Sequence, residues 1–382
     1  MPAWNFRRIQ ASDDDAIRRV YQVVYNGNEP LPLDEPMLAE GEWGIVGEKD
    51  GVIGAAMYVW PLKLTRGETR WKTGGVAAVG VMPEHRTGGL GADMMSHSMR
   101  EMRDEGCLMT ALYAYKESFY RKCGYVTAGV RWRISVPNHR LPDWKGSIPV
   151  RQISPEDVHL VKPCYDAFIE KHCAGNDREQ WQWKNRLGQK PPLIYAAGDP
   201  IEAYAWFHLN NKFWDDVEIG EFIWTTQRGY ESILAFMRGI MANRTNLNWY
   251  EPSSSPYLAS YLDQGVEMKL NRSGMFRALD VPGLLSSLRA SQSGSFSIGI
   301  VDPIVPENNG PWLVEFDAAG TRVSQSSSAD VTVSIERFTQ MVLGEPSIDD
   351  LVRMDLVGVP APKLADLRSL MPPSPVYLTE FF

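Results

Sequence analysis

Residues Gly75–Glu105 read GVAAVGVMPEHRTGGLGADMMSHSMREMRDE. The β-branched run Val76, Val79, Val81 predicts a strand ending at Pro83. A glycine-rich turn follows, Arg86-Thr87-Gly88-Gly89-Leu90-Gly91. Ala92, Met95, Met99 and Met102 then recur at helical spacing on one face. A strand, a glycine turn and a helix start make a ready anion site: glycines admit close backbone approach, and free N–H groups and the helix dipole favour negative charge. A P-loop requires Lys and Ser/Thr after its last glycine, but Ala92-Asp93 stand there. A dinucleotide fingerprint requires a third glycine, and Met94 occupies its place. The pattern left is Arg-x-x-Gly-x-Gly at Arg86, Gly89 and Gly91, with an ordinary strand-to-helix turn as the alternative.

Working outward, the 382 residues suggest two or three domains. No apolar run approaches the ~20 residues a membrane helix needs; Gly51–Trp60 is only ten. The N-terminal residues carry no signal-peptide core. Four cysteines (Cys107, Cys123, Cys164, Cys173) without paired spacing fit neither a disulfide framework nor a zinc template, so reduced thiols, a cytoplasmic protein and no metal are expected. A net charge of −8 argues against a general nucleic-acid binder and would favour approach of a cationic substrate if the acidic groups cluster near a cleft.

Asn5–Ile9 is a strand candidate, and Ser12 a cap for a helix whose first turn holds Asp13, Asp14 and Asp15. Trp43–Glu48 and Val52–Leu64 form a hairpin about Asp50-Gly51. After the central unit come a strand at Leu108–Ala114, a helical turn at Ser118–Lys122 and a strand at Tyr125–Val136. Val150-Arg151-Gln152-Ile153 then echoes Phe6-Arg7-Arg8-Ile9, and a helix, a hairpin (Leu193–Leu209), a strand (Val217–Thr225) and a helix (Tyr230–Met241) repeat the order. The repeat's own turn, Thr226-Gln227-Arg228-Gly229, has a single glycine and no phosphate cradle. Beyond residue 283 the texture becomes α+β, with strands at Ser295–Val301, Trp312–Phe316, Gly320–Ser326 and Val331–Ile335 and a helix opened by Ser334.

The Arg86-x-x-Gly89-x-Gly91 block resembles the coenzyme A pyrophosphate loop of the GNAT superfamily, and the element order over residues 1–136 matches that fold. The run Val331–Ser347 resembles a sterol-carrier-protein-like domain. With the segment Ser118-Phe119-Tyr120-Arg121-Lys122-Cys123-Gly124-Tyr125 and the ending Glu380-Phe381-Phe382, the whole chain resembles the Eis family of bacterial acetyltransferases. Cys123 departs from the aromatic or aliphatic residue usual there. The fold class implied is α/β and α+β: a GNAT domain (1–146), a degenerate GNAT-like domain (147–283) and a sterol-carrier-like domain with a catalytic C-terminus (284–382).

That resemblance implies acetyl-CoA as co-substrate and N-acetyl transfer to a primary amine of a polycationic small molecule such as an aminoglycoside. The cofactor-binding residues would be Val79, Gly80 and Val81 for the thioester carbonyl; Arg86, Thr87, Gly88, Gly89, Leu90, Gly91 and Ala92 for the pyrophosphate; and Tyr115 and Lys116 for further contacts. Tyr120 would protonate the leaving thiolate, and the Phe382 carboxylate would serve the incoming amine. A free α-carboxyl is a weak base near 3.5, so it could hold a cationic amine as much as deprotonate it. His85 reads as a surface turn residue. Asp34, Glu35 and the tryptophans are candidates for the acceptor pocket. The family forms hexamers, so a homo-oligomer is expected, with no nucleic-acid or membrane partner. The rival readings are a GNAT acting on protein or peptide amines, and a non-catalytic lipid binder using the last domain.

Overall fold

The computed structural model describes residues 4–31, 37–38, 41–188, 190–209, 212 and 214–382. In the first half the strands are β1 (Asn5–Arg8), β2 (Trp43–Lys49), β3 (Val52–Arg66), β4 (Thr69–Val81), β5 (Met109–Leu112) and β6 (Val126–Pro137), with helices α1 (Asp14–Tyr25), α2 (Leu90–Asp104) and α3 (Glu117–Lys122). The second half repeats them as β7 (Val150–Ile153), β8 (Leu193–Ala197), β9 (Ala203–Phe207), β10 (Val217–Trp224), β11 (Asn246–Pro252) and β12 (Glu267–Ala278). The C-terminal unit adds β13 (Gly294–Val301), β14 (Trp312–Asp317), β15 (Gly320–Gln325) and β16 (Val331–Ser334).

The first twelve strands form one sheet in the order β1-β2-β3-β4-β5-β12-β6-β11-β10-β9-β8-β7. Each half gives its last strand to the other. β12 pairs with β5 (Phe276↔Ala111) and β6 pairs with β11 (Ile134↔Trp249), both antiparallel, and β6 and β12 pair with each other across the middle. The two halves are thus related by a pseudo-two-fold exchange, and neither sheet is complete alone. The linker after β6 joins two parts of one sheet rather than two separate bodies.

Helix α2 opens at Leu90, with Gly89 at φ +87° before it. Its buried face is Leu90, Met94, Met95, Met99 and Met102; Met94 takes the inner place expected of Ala92, which is half-exposed. Before α1 the capping differs from expectation too. The buried Asp13 carboxylate accepts from the Gln10 N–H (2.8 Å) and from the Arg7 guanidinium (2.6 Å), whereas Ser12 makes no cap. A carboxylate that caps and pairs with β1 at once outcompetes a neutral hydroxyl.

β13–β16 form a second sheet, ordered β15-β14-β13-β16. Its core (Phe296, Phe316, Phe338, Met341) is continuous with Leu62, Leu64 and Trp71 of the first half. The fully buried Arg277–Asp302 ion pair (2.7 Å) also joins the units, while the Arg277 guanidinium donates to the Cys123 carbonyl at the end of α3. All four cysteines are free and buried, and burial pushes the Cys107 and Cys123 thiols up to about 11. No helix among the described residues is long and apolar enough to cross a membrane.

Candidate active site

The site begins with a fault in β4. Parallel pairing of β4 with β5 runs from Thr73↔Met109 to Val76↔Leu112 and stops. Just beyond, the β3–β4 register slips: Ala56 faces Gly80 and Tyr58 faces Ala77, so Ala78 and Val79 together oppose Met57. Ala78 takes φ +48°. A bulge of this kind bends its strand and frees part of the ladder. It turns β4 away from β5 and leaves Val79, Gly80 and Val81 without a strand partner on that side. The sidewall includes a residue the sequence did not suggest: the Tyr25 hydroxyl donates to the Val79 carbonyl (2.7 Å).

The two faces of β4 differ. A Cβ on Gly74 would strike Met102 of α2, whereas one on Gly75 would strike Phe382 and one on Gly80 would meet Val20 of α1. Tyr120, buried on α3, belongs to the α2 face with Val76, Met95 and Leu112. Its ring packs edge-on against Phe119 (4.9 Å) and Tyr125 (6.1 Å). Tyr125 in turn shares a hydrogen bond with Thr110 (3.0 Å), which donates to the Gly74 carbonyl (2.7 Å). Burial pushes the Tyr120 phenol well above its ordinary value, helped by the nearby Tyr25 and Cys123. At neutral pH it therefore holds a proton.

The turn before α2 is built to expose backbone. Thr87 (φ +69°) and Gly89 (φ +87°) are left-handed, and Arg86 Nε donates to the Val81 carbonyl (3.0 Å). A Cβ on Gly88 would meet nothing within 4 Å, and one on Gly89 only the Asp93 carboxylate at 3.8 Å. Gly91 lies against the Phe119 ring. Leu90, Gly91 and Ala92 form the first turn of α2, where backbone N–H groups lack intrahelical acceptors. Open glycines, helix-start N–H groups and the exposed Arg86 make a cradle suited to an anion such as a pyrophosphate. Tyr115, fully exposed, and Lys116 follow the end of β5. His85 packs against the Trp4 ring (4.9 Å) at the surface. Among the described residues no three metal-ligating side chains gather.

The C-terminal tail reaches the other face of β4. Its backbone is held in turn by Cys173, which donates to the Pro375 carbonyl and accepts from the Tyr377 N–H (both 2.8 Å), and by the Glu345 carboxylate, which accepts from the Val376 N–H (2.7 Å). Tyr113 donates to the Glu380 carbonyl (2.7 Å), and its ring packs on Phe381 (5.0 Å) and Phe382 (5.7 Å). Phe382 then lies over Gly75, where pairing between β4 and β5 is about to end. Trp60, opposite Gly75 in the β3 register, packs against Trp181 (5.3 Å) on the same face. Asp34 and Glu35 lie outside the described residues. The tryptophans are acceptor-pocket candidates from sequence, and Trp181 is one of them, but nothing local singles out Tyr113 or the buried Arg178, which acquire their places only when the two halves meet.

The second half carries the same fault differently filled. β10 pairs with β11 in parallel at Val217↔Leu247 and Glu218↔Asn248 and then departs, with a register shift at Gly220. The following helix, Gln227–Ile240, is capped by Thr226, whose hydroxyl accepts from the Gly229 N–H (3.1 Å) and donates to the Glu202 carboxylate (2.6 Å). A Cβ on Gly229 would come 3.0 Å from Glu202. A protein carboxylate thus sits where the equivalent turn of the first half is open.

Residues 5–128 match the family described as an acetyltransferase (GNAT) domain, and residues 281–379 the sterol carrier protein domain family. The N-acetyltransferases Eis of Mycobacterium tuberculosis (strain CDC 1551 / Oshkosh) and Mycobacterium bovis (strain BCG / Pasteur 1173P2) are each 28% identical over 181 residues, 43% of this chain and 44% of theirs. The chain thus spans less than half the length of the curated relatives it matches. Among solved structures, a GCN5-related N-acetyltransferase from Anabaena variabilis superposes with a TM-score of 0.86 at 15% identity, over 99% of this chain and 100% of that one. Eis1 from Mycobacterium abscessus superposes over the whole of both chains with a TM-score of 0.77 at 15% identity. These superpositions establish the fold. The first third of the chain is thus similar to GNAT acetyltransferase domains and its last quarter to sterol carrier protein domains.

Proposed function

We propose that the protein is an acetyl-CoA-dependent N-acetyltransferase acting on primary amines of polycationic small molecules, aminoglycosides among them. The observation that carries this reading is the placement of Tyr120 and Phe382 on opposite faces of β4, at the point where β4 leaves β5. A thioester lying in that gap would have an acid on one side and a carboxyl group on the other. The N–H groups of Val79 to Val81 would bind its carbonyl and the developing oxyanion. The turn from Arg86 to Ala92 would hold the pyrophosphate, with Tyr115 and Lys116 at the rim. The amine adds to the carbonyl carbon, the C–S bond breaks as the tetrahedral adduct collapses, and Tyr120 gives its proton to the departing thiolate. The Phe382 carboxylate would orient the ammonium form and accept the proton the amine must lose. Trp60 and Trp181 would face a cationic acceptor with aromatic surface.

In this reading residues 1–146 carry chemistry, 147–283 form a degenerate copy and 284–382 deliver the tail. A cytoplasmic homo-oligomer, a hexamer as in the family resemblance, completes the proposal. The test is a thiol-release assay on a panel of amines with differently tagged proteins. Residues added after Phe382 should abolish turnover while an N-terminal tag does not. Full turnover with a C-terminal extension in folded protein would remove Phe382 from the mechanism. Labelling of lysate proteins by radioactive acetyl-CoA would instead favour a protein acceptor.

A further inference from the structure

The gap between β10 and β11 is the second half's counterpart of the gap between β4 and β5, and it is occupied by the protein itself. Residues Tyr377–Phe381 border a cavity of about 280 Å³ there, together with Gly220 and Glu221 of β10 and Tyr250 of β11. Two residues of its lining, Glu221 and Glu380, pair with Arg178, whose side chain is fully buried. One edge of the guanidinium donates to the Glu221 carboxylate (Nη1 to Oε1, 3.0 Å), and Nε donates to the carboxylate of Glu380 in the tail. The plane of the group stacks over Tyr165 (4.3 Å) and Trp183 (4.7 Å). Glu221 is further held by Arg186 (2.8 Å) and Tyr204 (2.7 Å), so it is anchored in the sheet whether or not the tail is present. Tyr165 also meets the Thr379 hydroxyl (2.8 Å), whose oxygen accepts from the Asn176 N–H (3.0 Å). A fully desolvated cation shared between a fixed acid and a tail acid is a strong and geometrically exacting link, because leaving either charge unpaired in the interior is costly.

We propose that the degenerate second half is a socket for the C-terminal tail, and that Arg178 is the positioning residue that sets Phe382 against Gly75. Arg178 is not one of the groups placed at the reacting atoms. It acts two residues away, through Glu380, whose own carbonyl is fixed by Tyr113 of the first half. The tail is thereby clamped from both halves immediately before Phe382. This accounts for a second copy whose phosphate turn is closed: its strand gap binds a peptide segment of the same chain. The inference rests on the acetyl-transfer reading for its kinetic consequence, but not for its structural one.

The test combines hydrogen exchange with kinetics on Arg178→Met and Glu380→Gln, the second of which leaves the Arg178–Glu221 pair intact should the first fail to fold. The Val376–Leu378 amides should exchange at least about tenfold faster in both variants, with other segments unchanged in Glu380→Gln. Turnover should fall by about 10²-fold with little change in the KM for acetyl-CoA, the size expected when a reacting group is misplaced by about 1 Å. Arg178→Lys should recover part of it. In protein lacking Phe382, Glu380→Gln should lower turnover no further, because the group it positions is already gone. Unchanged exchange of the tail in both variants would overturn the socket. Faster exchange with unchanged turnover, or a fully additive loss in the protein lacking Phe382, would overturn Arg178 as a positioning residue. If the parent protein releases no thiol with any amine, the acetyl-transfer reading fails while tail exchange still decides the socket.

Discussion

Phe382 lies against Gly75, so closely that a Cβ on Gly75 would stand 2.9 Å from the ring carbon Cε2. More than three hundred residues separate the two in sequence. The contact exists because β4 presents a bare backbone patch on the face opposite α2. Gly75→Ala should push the ring away without straining the strand, since alanine is sterically ordinary there. We expect turnover to fall by about tenfold or more, as for other misplaced reacting groups. Steady-state kinetics with a melting curve for each protein checks this; an unaltered kcat would show that the Phe382 position is not used.

Tyr120→Phe keeps the ring that packs on Phe119 and Tyr125 and removes only the hydroxyl. Loss of a general acid costs about 10²- to 10⁴-fold in rate. The acetyl-CoA KM should move little. Because the phenol is raised above its ordinary value by burial, it stays protonated to high pH, and the alkaline limb of the parent's rate profile should not be set by a group near 10. A pH–rate profile of both proteins measures this.

Gly88 and Gly89 separate cofactor binding from stability. Gly88→Ala meets no neighbour and should leave the unfolding free energy within about 0.5 kcal/mol, the range of surface changes. Gly89→Ala forces a side chain into φ +87° and should cost about 1–2 kcal/mol. Both should weaken acetyl-CoA binding by about tenfold, or 1.4 kcal/mol, by keeping phosphate from the backbone. Calorimetric titration and urea unfolding provide the two readouts.

Arg277→Met should destabilise by about 3–5 kcal/mol, because Asp302 would be left charged and buried without its partner. Adding Asp302→Leu should recover part of the loss. The lesion lies next to the Cys123 carbonyl, so the end of α3 should loosen as well. Thermal unfolding of the single and double variants measures the coupling.

Glu221 gives the protein an acid-sensitive joint. Burial alone would raise its carboxyl, but the Arg178 and Arg186 charges with the Tyr204 hydroxyl outweigh it and hold it down at about 2. A depressed carboxyl favours the fold above its unfolded pKa, near 4.5, and loses that contribution as pH falls toward 2. Stability should therefore decline steeply below about pH 4.5. Glu221→Gln should flatten that decline while lowering stability at pH 7, as urea titrations at stepped pH can determine.

Local signals in the chain reached a long way. Asp50-Gly51 marked its hairpin, the methionine periodicity marked α2, and Arg86-x-x-Gly89-x-Gly91 marked a turn that is indeed open and left-handed. β12 carried no such mark. Its first half, Glu267–Arg272, is largely exposed and its second half, Ser273–Ala278, wholly buried, so it has neither clean alternation nor a continuous apolar run. The bulge at Ala78 was also invisible, since φ +48° at an alanine is imposed by the neighbouring strands and not preferred by the residue.

The sequence by itself determined most elements of the first half, the repeat of their order and the glycine-rich turn, because propensity, periodicity and glycine placement act over a few residues. Only the tertiary structure decided that the halves exchange β6 and β12. It also decided that the gap in one half stays open while the other receives the tail, and that Arg178 binds Glu380. Those outcomes depend on burial and on charges brought together from opposite ends of the chain, which no local pattern encodes.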